Sequence, residues 1–153
     1  MNQSHAQQHS ERSDSVDVLT KEAALRAYAS MMNTLDVSHL EPLLADDFRY
    51  ASQWVFAEIE SKAEYVAYIT GKLKAIRRSG ARAWAEMGLL ESEVPGPCVV
   101  MAQGDQNNLV AIVLAKVAGS KITRLDLSGV PSPHSARRSG VYPGRSDLGI
   151  ATC

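Results

Sequence analysis

Residues 98–128 read CVVMAQGDQNNLVAIVLAKVAGSKITRLDLS. Three apolar runs, at 98–103, 109–117 and 122–128, are separated by turn chemistry at 104–108 and at Gly119-Ser120. Branched side chains bounded by Gly, Asp and Asn are the pattern of strands joined by tight antiparallel turns. A further strand is predicted at 82–92, with 94–97 (Val-Pro-Gly-Pro) as its turn. Residues 98–102 and 109–115 are apolar at successive positions, where a strand with one wet face would alternate, so both faces of this sheet are expected to be covered. Helices can cover one face. The other is expected to pack against a second copy of the chain, as a homodimer through the sheet, unless the C-terminal segment folds over it. Ile112, Leu114, Arg124 and Asp126 are the candidate interface residues. The last two alternate with Leu125 and Leu127, so they would face the partner as an inter-subunit ion pair.

Upstream of the strands the period is helical. Leu25, Tyr28, Ala29, Met32 and Leu35 follow three-four spacing after a start at Asp17 or Thr20. Ser38 and Glu41 form a capping box that opens a short helix carrying Leu40, Leu43 and Leu44. Residues 48–59 read as extended, with a strand and a hairpin partner. A second capping box at 61–64 starts a helix with Tyr65, Ile69, Leu73 and Ile76 along one face, ending at Gly80. Helices followed by an antiparallel meander define an α+β domain with its helices gathered on one face. The predicted organisation is a flexible N-terminal arm at 1–17, one domain at 18–130, and a Pro/Ser/Gly/Arg-rich tail at 131–153.

Composition narrows the function classes. The chain has 153 residues, 45% of them hydrophobic, which suffices for one core. A formal net charge of -1 offers no field to recruit nucleic acid, and Arg137, Arg138 and Arg145 alone would bind phosphate weakly. No apolar run approaches the ~20 residues that span a bilayer, and the polar N-terminus has no signal-peptide core, so a cytoplasmic location is expected. Cys98 and Cys153 do not suggest a disulfide framework. The four histidines lack metal-ligand spacing, and neither a phosphate-binding Gly loop nor a nucleophile elbow is present, so no metal or cofactor is expected.

The stretch at 28–36, YASMMNTLD, followed by LLADDF at 43–48, resembles the opening of the nuclear transport factor 2-like superfamily, which includes SnoaL-like proteins and ketosteroid isomerases. The resemblance implies a cone-shaped, curved antiparallel sheet with three helices from the N-terminal half on its concave face, enclosing a pocket. It does not imply one activity, because the superfamily hosts isomerases, cyclases, dehydratases and binding modules. Matched on the shared ADD turn, the isomerase tyrosine falls on Tyr28, the general base on Ser52 and the oxyanion acid near Val113. Serine cannot shuttle a proton near neutral pH unaided, and 111–115 is apolar throughout, so steroid-isomerase chemistry is not expected.

Candidate pocket residues follow, each with a plain structural alternative. Tyr28 would point a phenol into the cone, or else bond a backbone group as core tyrosines do. Tyr50, Ser52 and Trp54 share one face of an extended segment and suit a flat apolar ligand, or else pack as an ordinary strand. Trp84 and Glu86 share a face of the first long strand, where an acid beside a Trp could titrate unusually, or else Glu86 sits on a wet edge. Asp46, Asp47, Glu58 and Glu60 fit turn or capping roles better than catalysis. The expected function is binding, with or without conversion, of a compact apolar small molecule and no cofactor. A non-catalytic dimeric interaction module with a filled cone is the alternative, and the catalytic residues are unknown.

Overall fold

A computed structural model describes residues 18–55, 57–91 and 95–145. The expected arm at 1–17 and the end of the expected tail, 146–153, lie outside the described residues.

Helix α1 is Lys21–Thr34. Thr20 caps it by accepting from the Ala23 N–H at 3.0 Å, and Leu25, Tyr28, Ala29 and Met32 lie on its buried face. It stops at Leu35, which adopts φ 58 and returns its N–H to the Met31 carbonyl. A non-glycine residue there costs roughly 1 kcal/mol. The short helix predicted next is instead two 3-10 turns, Val37–His39 and Glu41–Leu43. Asp36 supplies the first cap, accepting from the Ser38 N–H at 3.0 Å, and Pro42, without an N–H of its own, lies in the second turn. Helix α2, Lys62–Ser79, is capped by Ser61 and closed by Gly80 at φ 72, as its sequence requires.

The strands are β1 Leu44–Ser52, β2 Ala83–Leu90, β3 Gly96–Gln103, β4 Leu109–Ala118, β5 Lys121–Ser128 and β6 Arg137–Arg138. Their order in the sheet is β1-β5-β4-β3-β2-β6. β2 to β5 form the predicted antiparallel meander, while β1 joins β5 in parallel and makes the sheet mixed. The predicted hairpin partner of β1 reduces to one bridge, Tyr50 to Ile59. The ladder shifts register at Met101/Ala102 and Lys116/Val117, the irregularities that let a sheet curve. α1 crosses β2, β3 and β4, and α2 packs on β1.

The pleat divides the side chains cleanly. Ala85, Met87, Val99, Met101, Val113, Leu125 and Leu127 enter the core beneath the helices. Leu90, Cys98, Val100 and Ile112 form a second apolar cluster on the outer face, and Trp84 and Ala102 a third.

That outer face also carries the described part of the expected tail. Residues 131–145 are packed. β6 pairs with Gly88 and Leu89, the Ser139 N–H donates to the Met87 carbonyl, and the Met87 N–H donates to the Val141 carbonyl at 2.9 Å. Without this segment β2 would be an exposed edge with unpaired backbone groups. Ala136 packs on the Leu90–Ile112 cluster and Tyr142 on Trp84. The chain's own C-terminal segment therefore covers part of the face that the strand pattern reserved for a second copy.

Candidate functional site

Between the helices and the concave side of the sheet lies a cavity of about 430 Å³. α1 contributes Tyr28 and Met32, α2 contributes Lys72 and Ile76, the turn after β1 contributes Trp54, and the sheet contributes Met101, Gln103 and Leu127 among others. Tyr28 is 2% exposed, yet its hydroxyl makes no hydrogen bond to any described residue. Burial, reinforced by the neighbouring Tyr50 and Tyr68, raises its pKa well above the ordinary phenol value. It is therefore a neutral donor at physiological pH.

Beneath the cavity is an aromatic layer. Phe48 and Tyr50 point inward from β1, and Tyr65 and Tyr68 come down from α2. The Tyr65 ring lies 4.9 Å from Phe48 and 5.0 Å from Tyr50, and Tyr68 lies 5.7 Å from Tyr50. The Tyr65 hydroxyl is buried without a partner. Burial likewise raises the Tyr50 phenol, with Tyr68 adding to the shift and Ser52 opposing it.

The six pocket candidates separate. Tyr28 and Trp54 line the cavity, and Tyr50 sits in the aromatic layer. β1 ends at Ser52, whose hydroxyl accepts from the Trp54 N–H at 3.1 Å and shapes the turn. Trp54 thus reaches the cavity from a turn, 58% exposed, and the expected three-residue strand face is broken. Trp84 and Glu86 lie on the outer face, because β2 turns Ala83, Ala85 and Met87 inward. Glu86 is not on a wet edge. It is 3% exposed and accepts from Arg138 Nε at 2.7 Å, the Gly140 N–H at 2.7 Å and the Tyr142 hydroxyl at 3.2 Å. The Trp84 ring stacks against the guanidinium of Arg145 at 4.0 Å. These two residues hold the C-terminal segment, away from any ligand in the cone.

The expected interface residues also find partners within the chain. Ile112 is 1% exposed under its own cluster, with Leu114 partly buried beside it. Arg124 binds Asp126 at 2.9 Å and Glu58 at 2.9 Å, so the ion pair expected across subunits forms within one. Hydrogen bonds from Arg124 and then Arg49 hold the Glu58 carboxyl below its usual range.

Sequence reasoning missed Lys72 and Gln103. Lys72 was legible, since Tyr68, Lys72 and Ile76 form one row at four-residue spacing on α2. It also missed Asn33, which clips α1 to the sheet. Its side-chain amide donates to the Ala85 and Pro143 carbonyls and accepts from the Ala85 N–H, all at 2.8 Å.

Among the described residues no cluster of His, Cys, Asp and Glu suits a metal, and burial pushes the Cys98 thiol up to about 11, which keeps it protonated at neutral pH. A larger hollow of about 790 Å³ lies outside α2, between Glu41, Asp46 and Lys74. It is a surface groove floored by Ala63, Ala67 and Gly71, and no buried polar group points into it. The position matched to the isomerase oxyanion acid, Val113, is fully buried in the core.

No protein-family model and no curated protein matches the chain. Solved structures do. A nuclear transport factor 2-like protein of unknown function from Cytophaga hutchinsonii is 13% identical, with a TM-score of 0.51 over 71% of this chain and 88% of the other. A SnoaL-like protein of unknown function from Burkholderia thailandensis is 13% identical, with a TM-score of 0.51 over 76% and 91%. A candidate ketosteroid isomerase from Kribbella flavida is 14% identical, with a TM-score of 0.51 over 86% and 87%. The chain has the nuclear transport factor 2-like α+β fold. Likeness at this identity carries the fold and leaves the activity open. No helix among the described residues is long and apolar enough to cross a membrane.

Proposed function

We propose that this chain binds a compact, largely apolar small molecule in its cone, with the Tyr28 phenol donating a hydrogen bond to an acceptor oxygen of that molecule. One observation carries the reading: a phenol 2% exposed, without a described hydrogen-bond partner, lines a cavity of about 430 Å³. A phenol facing the cavity can donate to an acceptor on a ligand without disturbing any bond within the chain. The volume falls in the range of small-molecule sites, roughly 300–1,000 Å³. The Kribbella flavida neighbour named as a candidate isomerase is consistent with a pocket of this kind.

The lining favours binding over proton-transfer catalysis. It contains no Asp, Glu or His, and Ser52, in the general-base position, is engaged by the turn. Calorimetric titration with a neutral aromatic ketone, in the native chain and in Tyr28→Phe, tests the reading. The expected result is micromolar binding that weakens about tenfold in the variant, with stability unchanged. Equal affinity in both proteins would remove Tyr28 from the site, and no binding in either would remove the pocket.

A homodimer through the outer face is the second reading. It rests on Leu114, partly buried on that face, rather than on Ile112 or the Arg124–Asp126 pair. Light scattering at micromolar concentration decides it, and a monomer rejects it.

A further inference from the structure

The cavity's chemistry is one-sided. Among the described residues its polar groups are the Tyr28 phenol, the Gln103 amide, the Trp54 indole and the Lys72 ammonium, and no carboxylate lines it. Lys72 is exposed at the α2 side of the cavity and makes no ion pair with any described residue. The residues three and four positions away on its helix are Tyr68, Ile69, Ala75 and Ile76, none acidic. Its Nζ lies 5.8 Å from the centroid of the Tyr68 ring, beside the aromatic layer. Three donors and a cation surrounding an apolar hollow are complementary to an acceptor-rich anion.

We propose that the ligand is an apolar carboxylate, its charged group paired with Lys72 at the mouth and a neutral carbonyl or ether oxygen hydrogen-bonded by Tyr28 within. The inference rests on the pocket reading above, to which it adds the charge and polarity of the ligand. Its physical content is a division of labour. The apolar walls supply affinity for the body of the molecule, and Tyr28 fixes its inner end. Lys72 discriminates between an acid and its uncharged counterpart. Because the ammonium is exposed, the discrimination is modest and falls as salt screens it.

The test compares a methoxynaphthoate with the uncharged methoxynaphthamide by calorimetric titration at low and high salt, in the native chain and in Lys72→Gln. The expected outcome is a preference of about tenfold for the carboxylate, reduced by salt and abolished in the variant, with amide affinity unchanged. Equal binding of the two probes to the native chain overturns the inference and leaves the pocket standing. So does a carboxylate preference that survives Lys72→Gln. Failure of both probes to bind overturns the pocket reading, and this inference with it.

Discussion

The two faces of the sheet treat buried polar groups in opposite ways. On the outer face Glu86 has a partner for each carboxylate oxygen, drawn from Arg138, Tyr142 and the Gly140 backbone. On the helix side the Tyr65 hydroxyl is buried without a partner, and the Tyr28 hydroxyl makes no hydrogen bond to any described residue. The outer face has one exception, the Trp84 indole N–H, which is buried unbonded while its ring stacks on Arg145. A chain that can satisfy a buried carboxylate this fully does not lack the means to satisfy a phenol. Tyr28 lines the cavity, where the proposed ligand would meet its hydroxyl, whereas the hydroxyl of Tyr65 is sealed among rings and is simply a cost.

The contrast breaks first at Glu86. Glu86→Ala removes the buried acceptor of the Gly140 N–H, the Tyr142 hydroxyl and Arg138 Nε, and is expected to cost about 3 kcal/mol in urea unfolding while leaving the cone's affinity unchanged. A loss under about 1 kcal/mol would mean that the outer face is not held by this carboxylate. Asn33→Ala comes next. It removes three bonds of 2.8 Å and leaves backbone groups of Ala85 unpaired, for about 2 kcal/mol by the same measurement. Tyr65→Phe has the opposite sign. Deleting a buried donor that nothing accepts is expected to raise stability by about 1 kcal/mol, and a loss instead would reveal a partner for the hydroxyl.

Much of the fold was legible because its signals are local. Thr20, Ser61 and Gly80 bound their helices by bonds within a few residues, and the change of period after Gly80 announces the meander. The site was half legible. Tyr28 and Trp54 do line the cavity, but which face of β2 turns inward depends on α1 crossing Ala85, and periodicity alone cannot choose between Trp84 and Ala85. The segment at 131–145 reads as a tail because its Pro, Ser, Gly and Arg residues show neither a helical nor a strand period. Its ordering comes from Glu86 and the β2 edge, some 50 residues earlier in the chain. Unbroken apolar strands were correctly read as covered on both faces, but the pattern does not say by what.

The smallest expected effect lies at the rim of the outer face, where Arg49, Glu58, Arg124 and Asp126 form a partly exposed network. Exposed pairs contribute little, so this network should trim the edge of β1 and not hold it. Its signature is a pH dependence. The native Glu58 carboxyl titrates below its unfolded value of about 4.3, chiefly through the hydrogen bond from Arg124 and then that from Arg49. A depressed carboxyl binds its proton later in the native state than in the unfolded one. Its contribution is therefore complete above about pH 4.3 and is lost as pH falls through the lower native value. Urea unfolding of the native chain and of Glu58→Gln should differ slightly at neutral pH and converge as the solution is acidified through that window. A gap that stays constant, or that widens in acid, would assign Glu58 a role other than pairing with the two arginines.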